Sequence, residues 1–192
     1  MRAAASRFHS DGYAATTVAA VARDAAVSSQ TVYNAFGTKA ALLKAAYDVT
    51  LAGDDDPVPL AERPEVRALY AEQDAAAFLH GYAALGRTVL ERVGPLMLQI
   101  TAGADAGEPD LVRLRDTTDA ERLAGTSMVV EKVAGLGALA PGLDRDVARD
   151  RIWTLNSVQV WHLLTSARGW SGEDYAAWIG DAMCAAVLAD AR

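Results

Sequence analysis

The sequence is short of cysteine and of long hydrophobic runs, and each shortage excludes a class of protein. Cys184 is the single cysteine among 192 residues, so no internal disulfide can form and a secreted, disulfide-held scaffold is excluded. No apolar run reaches the roughly 18 residues of a membrane-spanning helix. Residues 1–10 contain no apolar signal-peptide core. We therefore expect a cytoplasmic protein without a membrane partner.

Sequence motifs of catalysis and of cofactor binding are missing as well. His9, His80 and His162 lie far apart and lack the spacing of metal ligands. There is no glycine-rich phosphate loop and no Gly-x-Ser-x-Gly motif. Cys184 falls on an apolar helical stretch, where a thiol usually acts as a small hydrophobic residue. The sequence thus predicts no enzyme, no metal site and no cofactor.

The hydrophobic pattern predicts an all-α protein. Alanine is abundant, and apolar residues recur every three or four positions instead of alternating. Short helices are predicted to end near Gly12, to follow N-caps at Thr16-Thr17 and at Ser28, and to begin near Lys39. The stretch from Gly53 to Pro64 is rich in aspartate and proline and is predicted to be an irregular linker.

Longer helices are predicted after the linker, separated by glycine- and proline-rich breaks. The predicted helices are residues 65–92 (ended or kinked by Gly94-Pro95), 111–133 and 145–168, and one that follows a cap at Ser171. We expect a three-helix, helix-turn-helix domain over residues 1–47 and a helical ligand-binding and dimerisation domain over residues 48–192.

Charge is divided unevenly between these two parts. The whole chain carries a net charge of −7, yet residues 1–47 carry +3 and the remainder −10. Such asymmetry is typical of a polyanion-binding module joined to an acidic body.

The second and third short helices have the residue types of a helix-turn-helix. Two helices that cross closely need small or β-branched residues at their contact, and Val18, Val21, Ala22, Val27 and Val32 supply them. The second helix of the motif must then present polar groups to DNA. Polar residues cluster there, and glutamine and asparagine can form paired hydrogen bonds with adenine.

A longer pattern covers the first part of the chain. It consists of Phe8, Gly12, Tyr13, Thr16, Thr17, Val18, Val21, Ala22, Ala25, Val27, Ser28, Thr31, Val32, Tyr33, Asn34, Phe36, Lys39 and Leu42. In order and spacing this pattern resembles the DNA-binding domain of the TetR (tetracycline repressor) family. The resemblance implies a homodimeric transcription regulator, usually a repressor, whose last two helices pair in a four-helix bundle. It also implies a small-molecule pocket whose occupation releases operator DNA.

The resemblance implies three sets of site residues. The DNA-binding set is Thr17, Ser28, Ser29, Gln30, Thr31, Tyr33, Asn34 and Lys39. The ligand-pocket set is Phe78, Tyr82, Met97, Met128, Trp153, Asn156 and Trp161, and it suggests a small apolar effector. The dimer set is Leu164, Tyr175, Trp178, Ile179 and Ala182. The family often has a basic arm before its first helix; here only Met1 precedes Arg2, so either the arm is missing from this chain or the numbering starts inside the native protein.

Other interpretations of the same residues remain open. The polar cluster on the third helix is also compatible with a solvated face, and the aromatic and methionine residues also suit an ordinary core. A regulator that binds DNA without a ligand, and a helical protein-interaction module without DNA binding, are the alternatives. The effector, the operator, the regulated genes and the sign of regulation are not encoded in recognisable motifs.

Overall fold

The computed structural model describes residues 1–53, 58 and 60–189, and over these residues no strand forms. Ten α-helices are described, with one isolated antiparallel bridge between Leu139 and Leu188. Their bounds are α1 Arg2–Ala15, α2 Val18–Asp24, α3 Ser29–Phe36, α4 Lys39–Ala52, α5 Pro64–Ala71, α6 Ala75–Asp105, α7 Pro109–Gly135, α8 Arg145–Leu155, α9 Val158–His162 and α10 Gly172–Val187. The all-α prediction is confirmed.

The sequence predicts that the first helix ends near Gly12. In the structure α1 continues across a kink at Gly12 and ends at Ala15. Gly12 has φ 74° and ψ 172°, a conformation that glycine adopts without steric cost. At the end of the helix the Thr16 hydroxyl donates to the Gly12 carbonyl at 2.7 Å and to the Arg7 carbonyl at 3.0 Å, which joins the segments on the two sides of the kink.

The predicted N-caps of the helix-turn-helix are confirmed. The hydroxyl oxygens of Thr17 and Ser28 accept hydrogen bonds from the amides of Ala20 and Thr31, at 3.1 and 3.0 Å. Thr38 caps α4 in the same way. Such side-chain acceptors satisfy amides that have no partner inside the helix.

The predicted contact residues between α2 and α3 are buried, with one exception. Val18, Val21, Ala22 and Val32 lie in the core, whereas the side chain of Val27 is 44% exposed. Val27 belongs to the turn between the helices, where its amide bonds the Ala22 carbonyl while its side chain points to solvent. Its prediction as a contact residue was wrong.

The single helix predicted over residues 65–92 is two helices. Residues 72–74 interrupt the helix. The Glu72 carboxylate accepts hydrogen bonds from the amides of Gln73 and Asp74, and the Asp74 carboxylate accepts one from the amide of Ala77. These local hydrogen bonds start α6 afresh. Residues 54–57 and 59 of the predicted linker lie outside the described residues.

Pro95 lies inside α6 instead of ending it. A proline inside a helix costs about 3 kcal/mol. Leu90, Val93 and Leu96 are buried around it, and burial of each such side chain contributes roughly 1.5–3 kcal/mol. Tertiary burial therefore outweighs the proline, and the alternative in which Gly94-Pro95 ends the helix was wrong.

The helix predicted over residues 145–168 is also divided. Helix α8 ends at Leu155, and Ser157 caps α9 by accepting from the Val160 amide at 3.3 Å. A π-helical turn, Leu163–Ala167, follows. The predicted cap of the last helix is confirmed, because Ser171 accepts from the Asp174 amide at 3.0 Å.

The chain forms two compact units. The first unit contains Met1–Pro57 and Arg92–Thr117, and the second contains Val58–Glu91 and Thr118–Arg192. The core of the first includes Phe8, Leu43 and Tyr47, and that of the second includes Phe78 and Ile152. The domain boundary at residue 47 stays a prediction. No helix in the described part of the chain has both the length and the apolar character required to cross a membrane.

Candidate functional site

Helix α3 buries one side and exposes a polar one. Val32 is 7% exposed and anchors the inner side. Gln30, Thr31, Tyr33 and Asn34 are all exposed, and Tyr33 is 49% exposed. A short, capped helix that presents amides, a hydroxyl and a phenol has the donors and acceptors needed to contact base edges and phosphates.

The two amide side chains of this surface are already oriented. Gln30 Nε2 donates to Asn34 Oδ1 at 2.7 Å, one helical turn away. This bond uses one donor and one acceptor of the pair. The Gln30 carbonyl and the Asn34 amino group keep their capacity for an adenine edge.

Two of the hydroxyls predicted to contact DNA, those of Thr17 and Ser28, have capping roles. Thr17 and Ser28 accept backbone hydrogen bonds at the starts of α2 and α3, and the hydroxyl oxygens of Ser28 and Thr31 lie 2.8 Å apart. Thr17 and Ser28 are exposed, and Ser29 is half-buried. The first effect of Thr17 and Ser28 is therefore to fix where α2 and α3 begin.

Lys39, at the start of α4, is held by α1. Its ammonium lies 4.2 Å from the centroid of the Tyr13 ring and 3.4 Å from the Ala14 carbonyl oxygen. Burial lowers the pKa of Lys39, while the charges of Glu108 and Asp110 oppose that shift. The lysine is thus a positioned cation rather than a freely extended one.

The acidic residues of the first 47 positions are neutralised locally. Arg7 bonds Asp24 at 2.5 Å and Asp11 at 2.9 Å. The hydrogen bonds from Arg7 hold the pKa values of both carboxyls below their ordinary range. Repulsion of a polyanion by these carboxylates is therefore reduced.

The predicted pocket residues do not share one environment. Phe78 is buried, and Tyr82, Trp153, Asn156 and Trp161 are half-buried within the second unit. Met97 belongs to the first unit, and Met128 is 52% exposed on α7. Sequence periodicity could not distinguish buried from exposed residues in this set. It indicates which residues share a face of a helix, but not which other helix packs against that face.

The predicted dimer residues also differ in their exposure. Tyr175 and Ile179 are fully buried inside the second unit of a single chain, so they are core residues. Leu164 and Ala182 are half-buried, whereas Trp178 is 42% exposed.

Two further exposed apolar residues were not included in the predicted dimer set. Leu163 lies in the π-helical turn, and Trp170 stacks edge-on against Trp178 with ring centroids 6.0 Å apart. We call Leu163, Trp170 and Trp178 the carboxy-terminal patch. Exposed aromatic clusters of this kind are typical of protein interfaces.

Comparison with known proteins relates the first part of the chain to one family. Residues 1–46 match the family model for bacterial regulatory proteins of the tetR family. The similarity to the TetR family therefore covers the helix-turn-helix part of the chain. No curated protein matches it.

Solved structures share the TetR-family fold along nearly the whole chain. A TetR-family transcriptional regulator from Rhodococcus sp. is 18% identical with a TM-score of 0.76, and the match covers 96% of this chain and 94% of that one. The regulator FadR from Bacillus subtilis, in complex with stearoyl-CoA, is 16% identical with a TM-score of 0.75, covering 95% and 94%. The SmeT–triclosan complex is 19% identical with a TM-score of 0.67, covering 98% and 89%. At these identities the likeness establishes the fold. The family is one of regulators and not of enzymes.

Proposed function

We propose that this chain is a TetR-family protein, a dimeric transcriptional repressor that leaves its operator when a small molecule binds. Residues 1–47 form its DNA-binding domain and residues 48–192 its effector-binding and dimerisation domain. The observation that carries the proposal is the exposed polar surface of α3, held outward by buried Val32. Such a repressor acts on the chromosome, so the proposal includes a cytoplasmic location.

The residues of the interface have different roles. Gln30 and Asn34 contact base edges, with Thr31 beside them, and Tyr33 and Lys39 contact phosphates. Thr17, Ser28 and Ser29 bring the amino-terminal ends of α2 and α3 to the DNA backbone.

The effector binds in the second unit. Support comes from the aromatic character of Phe78, Tyr82, Trp153 and Trp161, and from FadR and SmeT, which share the fold and are solved with stearoyl-CoA and triclosan. The effector must prefer a conformation in which two DNA-binding domains no longer match DNA. A preference of about 1–3 kcal/mol lowers operator occupancy appreciably.

The carboxy-terminal patch joins two copies of the chain. Leu163, Trp170 and Trp178 lie exposed in one chain, and burial of large aromatic side chains is a strong source of association energy. A dimer presents two α3 helices to two half-sites of one duplex.

Fluorescence anisotropy tests the DNA-binding part of this proposal. Labelled duplexes from the promoter region of the protein's own gene are compared with scrambled duplexes of equal composition. We expect tight binding to one promoter duplex, with an affinity that falls steeply as salt rises because phosphate contacts release counterions. Equal binding to scrambled duplexes, or binding independent of salt, rejects the proposal.

A further inference from the structure

The ammonium group of Lys39 lies over the ring of Tyr13. Its Nζ atom is 4.2 Å from the ring centroid and donates to the Ala14 carbonyl oxygen at 3.4 Å. Phe8, which is 1% exposed, stacks against the Tyr13 ring with centroids 6.1 Å apart. Because a cation is attracted to the face of an aromatic ring, the position of the Tyr13 ring determines where the ammonium is held.

Asp110, in the first turn of α7, holds the far end of the same ring. The Tyr13 phenol donates to Asp110 Oδ2 at 3.0 Å, and Arg113 bonds the other oxygen of that carboxylate. The phenol oxygen is the atom that moves furthest when the Tyr13 side chain turns about its Cα–Cβ bond. A hydrogen bond at this atom therefore restrains the whole ring, and with it the place where Lys39 is held.

The first turn of α7 is itself fixed by the core of the first unit. Leu111, which follows Asp110, is 2% exposed. A Cβ built on Gly103 of α6 would overlap Leu111 Cδ1, so the glycine allows this turn to pack directly against α6. The Glu108 amide donates to the Gly103 carbonyl at 3.1 Å. Asp110 is thus presented to Tyr13 from a closely packed part of the protein.

The carboxylate of Asp110 has two opposite effects on a DNA contact made by Lys39. Its charge attracts the ammonium and repels phosphates, which weakens the contact. That charge is paired with Arg113 on a side chain that is 45% exposed, so solvent and salt screen it. Its hydrogen bond to Tyr13 keeps the lysine in place before DNA arrives, and a side chain that is ordered in advance loses less conformational entropy on binding.

We propose that Asp110 is a positioning residue of the DNA interface: acting through Tyr13, it holds Lys39 in place for a DNA phosphate. The inference rests on the proposed function, because it takes the DNA-binding role of Lys39 from there. It extends the machinery of DNA binding beyond residues 1–47 to the first turn of α7. Asp110 acts without touching DNA.

Two substitutions of Asp110 separate its hydrogen bond from its charge. Asp110→Asn and Asp110→Ala remove the same charge, but only asparagine keeps a carbonyl oxygen that accepts from the Tyr13 phenol. We expect Asp110→Ala to bind the promoter duplex about twofold to tenfold more weakly than Asp110→Asn in fluorescence anisotropy, the cost of ordering one long side chain. The same ratio is expected for scrambled duplexes, because phosphate contacts carry no sequence information. Equal affinities of the two variants overturn the proposal.

Removal of Lys39 tests whether the effect passes through this side chain. In the Lys39→Gln background, Asp110→Asn and Asp110→Ala should bind DNA equally, since the ring of Tyr13 no longer holds a cation. In the Tyr13→Phe background the two should also be equal, because the phenol hydroxyl is absent. A difference that persists in the Lys39→Gln background would mean that Asp110 acts by another route and would overturn the proposal.

Asp116 supplies a matched control on the same helix. It is paired with Arg115 at 3.0 Å, and Asp116→Asn and Asp116→Ala again remove one charge each. These two variants should have equal affinities for DNA. A difference as large as that at Asp110 would attribute the effect to the exchange of side chains on α7 and not to the bond with Tyr13, which would overturn the proposal.

Nuclear magnetic resonance measures the position of Lys39 without DNA. Protons that lie over an aromatic ring are shifted upfield by its ring current. The ε-methylene protons of Lys39 should therefore be shifted upfield in the wild type and in Asp110→Asn, and should move towards the ordinary lysine value in Asp110→Ala. An unchanged shift in Asp110→Ala overturns the proposal.

The same samples distinguish failure of this inference from failure of the proposed function. Tight promoter binding by the wild type, with equal affinities of Asp110→Asn and Asp110→Ala, would reject the inference alone. A wild type that binds no duplex would reject the proposed function, and the resonance of Lys39 would still decide whether Asp110 positions this side chain.

Discussion

The phenol of Tyr13 donates a hydrogen bond to the carboxylate of Asp110 at 3.0 Å, across 97 positions of sequence. Tyr13 follows the kink of α1, and Asp110 lies in the first turn of α7. The ammonium of Lys39 rests over the same ring at 4.2 Å. One side chain thus ties α1 to α4 and to α7 within the first unit.

We predict that Tyr13→Phe lowers the free energy of unfolding by about 1 kcal/mol. The substitution keeps the ring under Lys39 and removes only the hydrogen bond to Asp110, and a typical hydrogen bond contributes about 0.5–1.5 kcal/mol. Urea unfolding measures the loss. The phenol of Tyr33 is exposed on α3, so Tyr33→Phe is the control and should unfold like the wild type. An equal loss in both variants would contradict a stabilising hydrogen bond between Tyr13 and Asp110.

The same contact predicts a loss of stability at alkaline pH. Burial first, and the hydrogen bond to Asp110 second, raise the pKa of Tyr13 from 10.0 to about 12. A raised pKa contributes stability that is complete below pH 10 and declines as pH rises through 12. We expect the stability of the wild type to fall relative to Tyr13→Phe across this window in urea unfolding. A difference between the two proteins that stays constant with pH would contradict the prediction.

Lys39 is predicted to make a phosphate contact. Lys39→Gln should weaken binding to all duplexes and lower the salt dependence of affinity by about one counterion. Lys44→Gln is the matched control because Lys44 is already paired with Asp48 at 2.6 Å, and its salt dependence should match the wild type. Anisotropy titrations at several salt concentrations make the comparison, and a Lys39→Gln slope equal to that of the wild type would contradict the contact.

The carboxy-terminal patch is predicted to hold the dimer. Trp178→Glu places a charge beside Trp170 and should shift the protein toward the monomer in sedimentation velocity, because burying an unpaired charge is costly. Val27→Glu adds the same charge at an equally exposed valine of the first unit and should remain dimeric. Dimers of unchanged stability in Trp178→Glu would assign the interface to another surface.

Features set by neighbouring residues were predictable from the sequence. The caps at Thr17, Ser28 and Ser171 form as expected because a hydroxyl meets an amide only three positions away. The break before α6 was not predicted, although Asp74 is a similar cap, because apolar periodicity continues across it. The continuation of α6 through Pro95 was not predicted, because it depends on burial of the neighbouring side chains against other helices.

Features set by distant residues were not predictable. The spacing of Tyr175 and Ile179 with Trp178 indicates an apolar stripe, but only the fold separates the buried pair from the exposed tryptophan. No local sequence pattern indicates the hydrogen bond between Tyr13 and Asp110. The polar surface of α3 was predictable because it lies within one short motif.

Selection of binding sites from a random duplex library tests most directly whether α3 reads DNA. The wild type should enrich a near-palindromic sequence, and a variant carrying Gln30→Ala and Asn34→Ala should enrich a sequence changed at the positions that these side chains contact, at a cost of about 1–3 kcal/mol for the original site. Enrichment of the same sequence by both proteins, or of none by the wild type, would contradict the assignment of α3 as the reading helix.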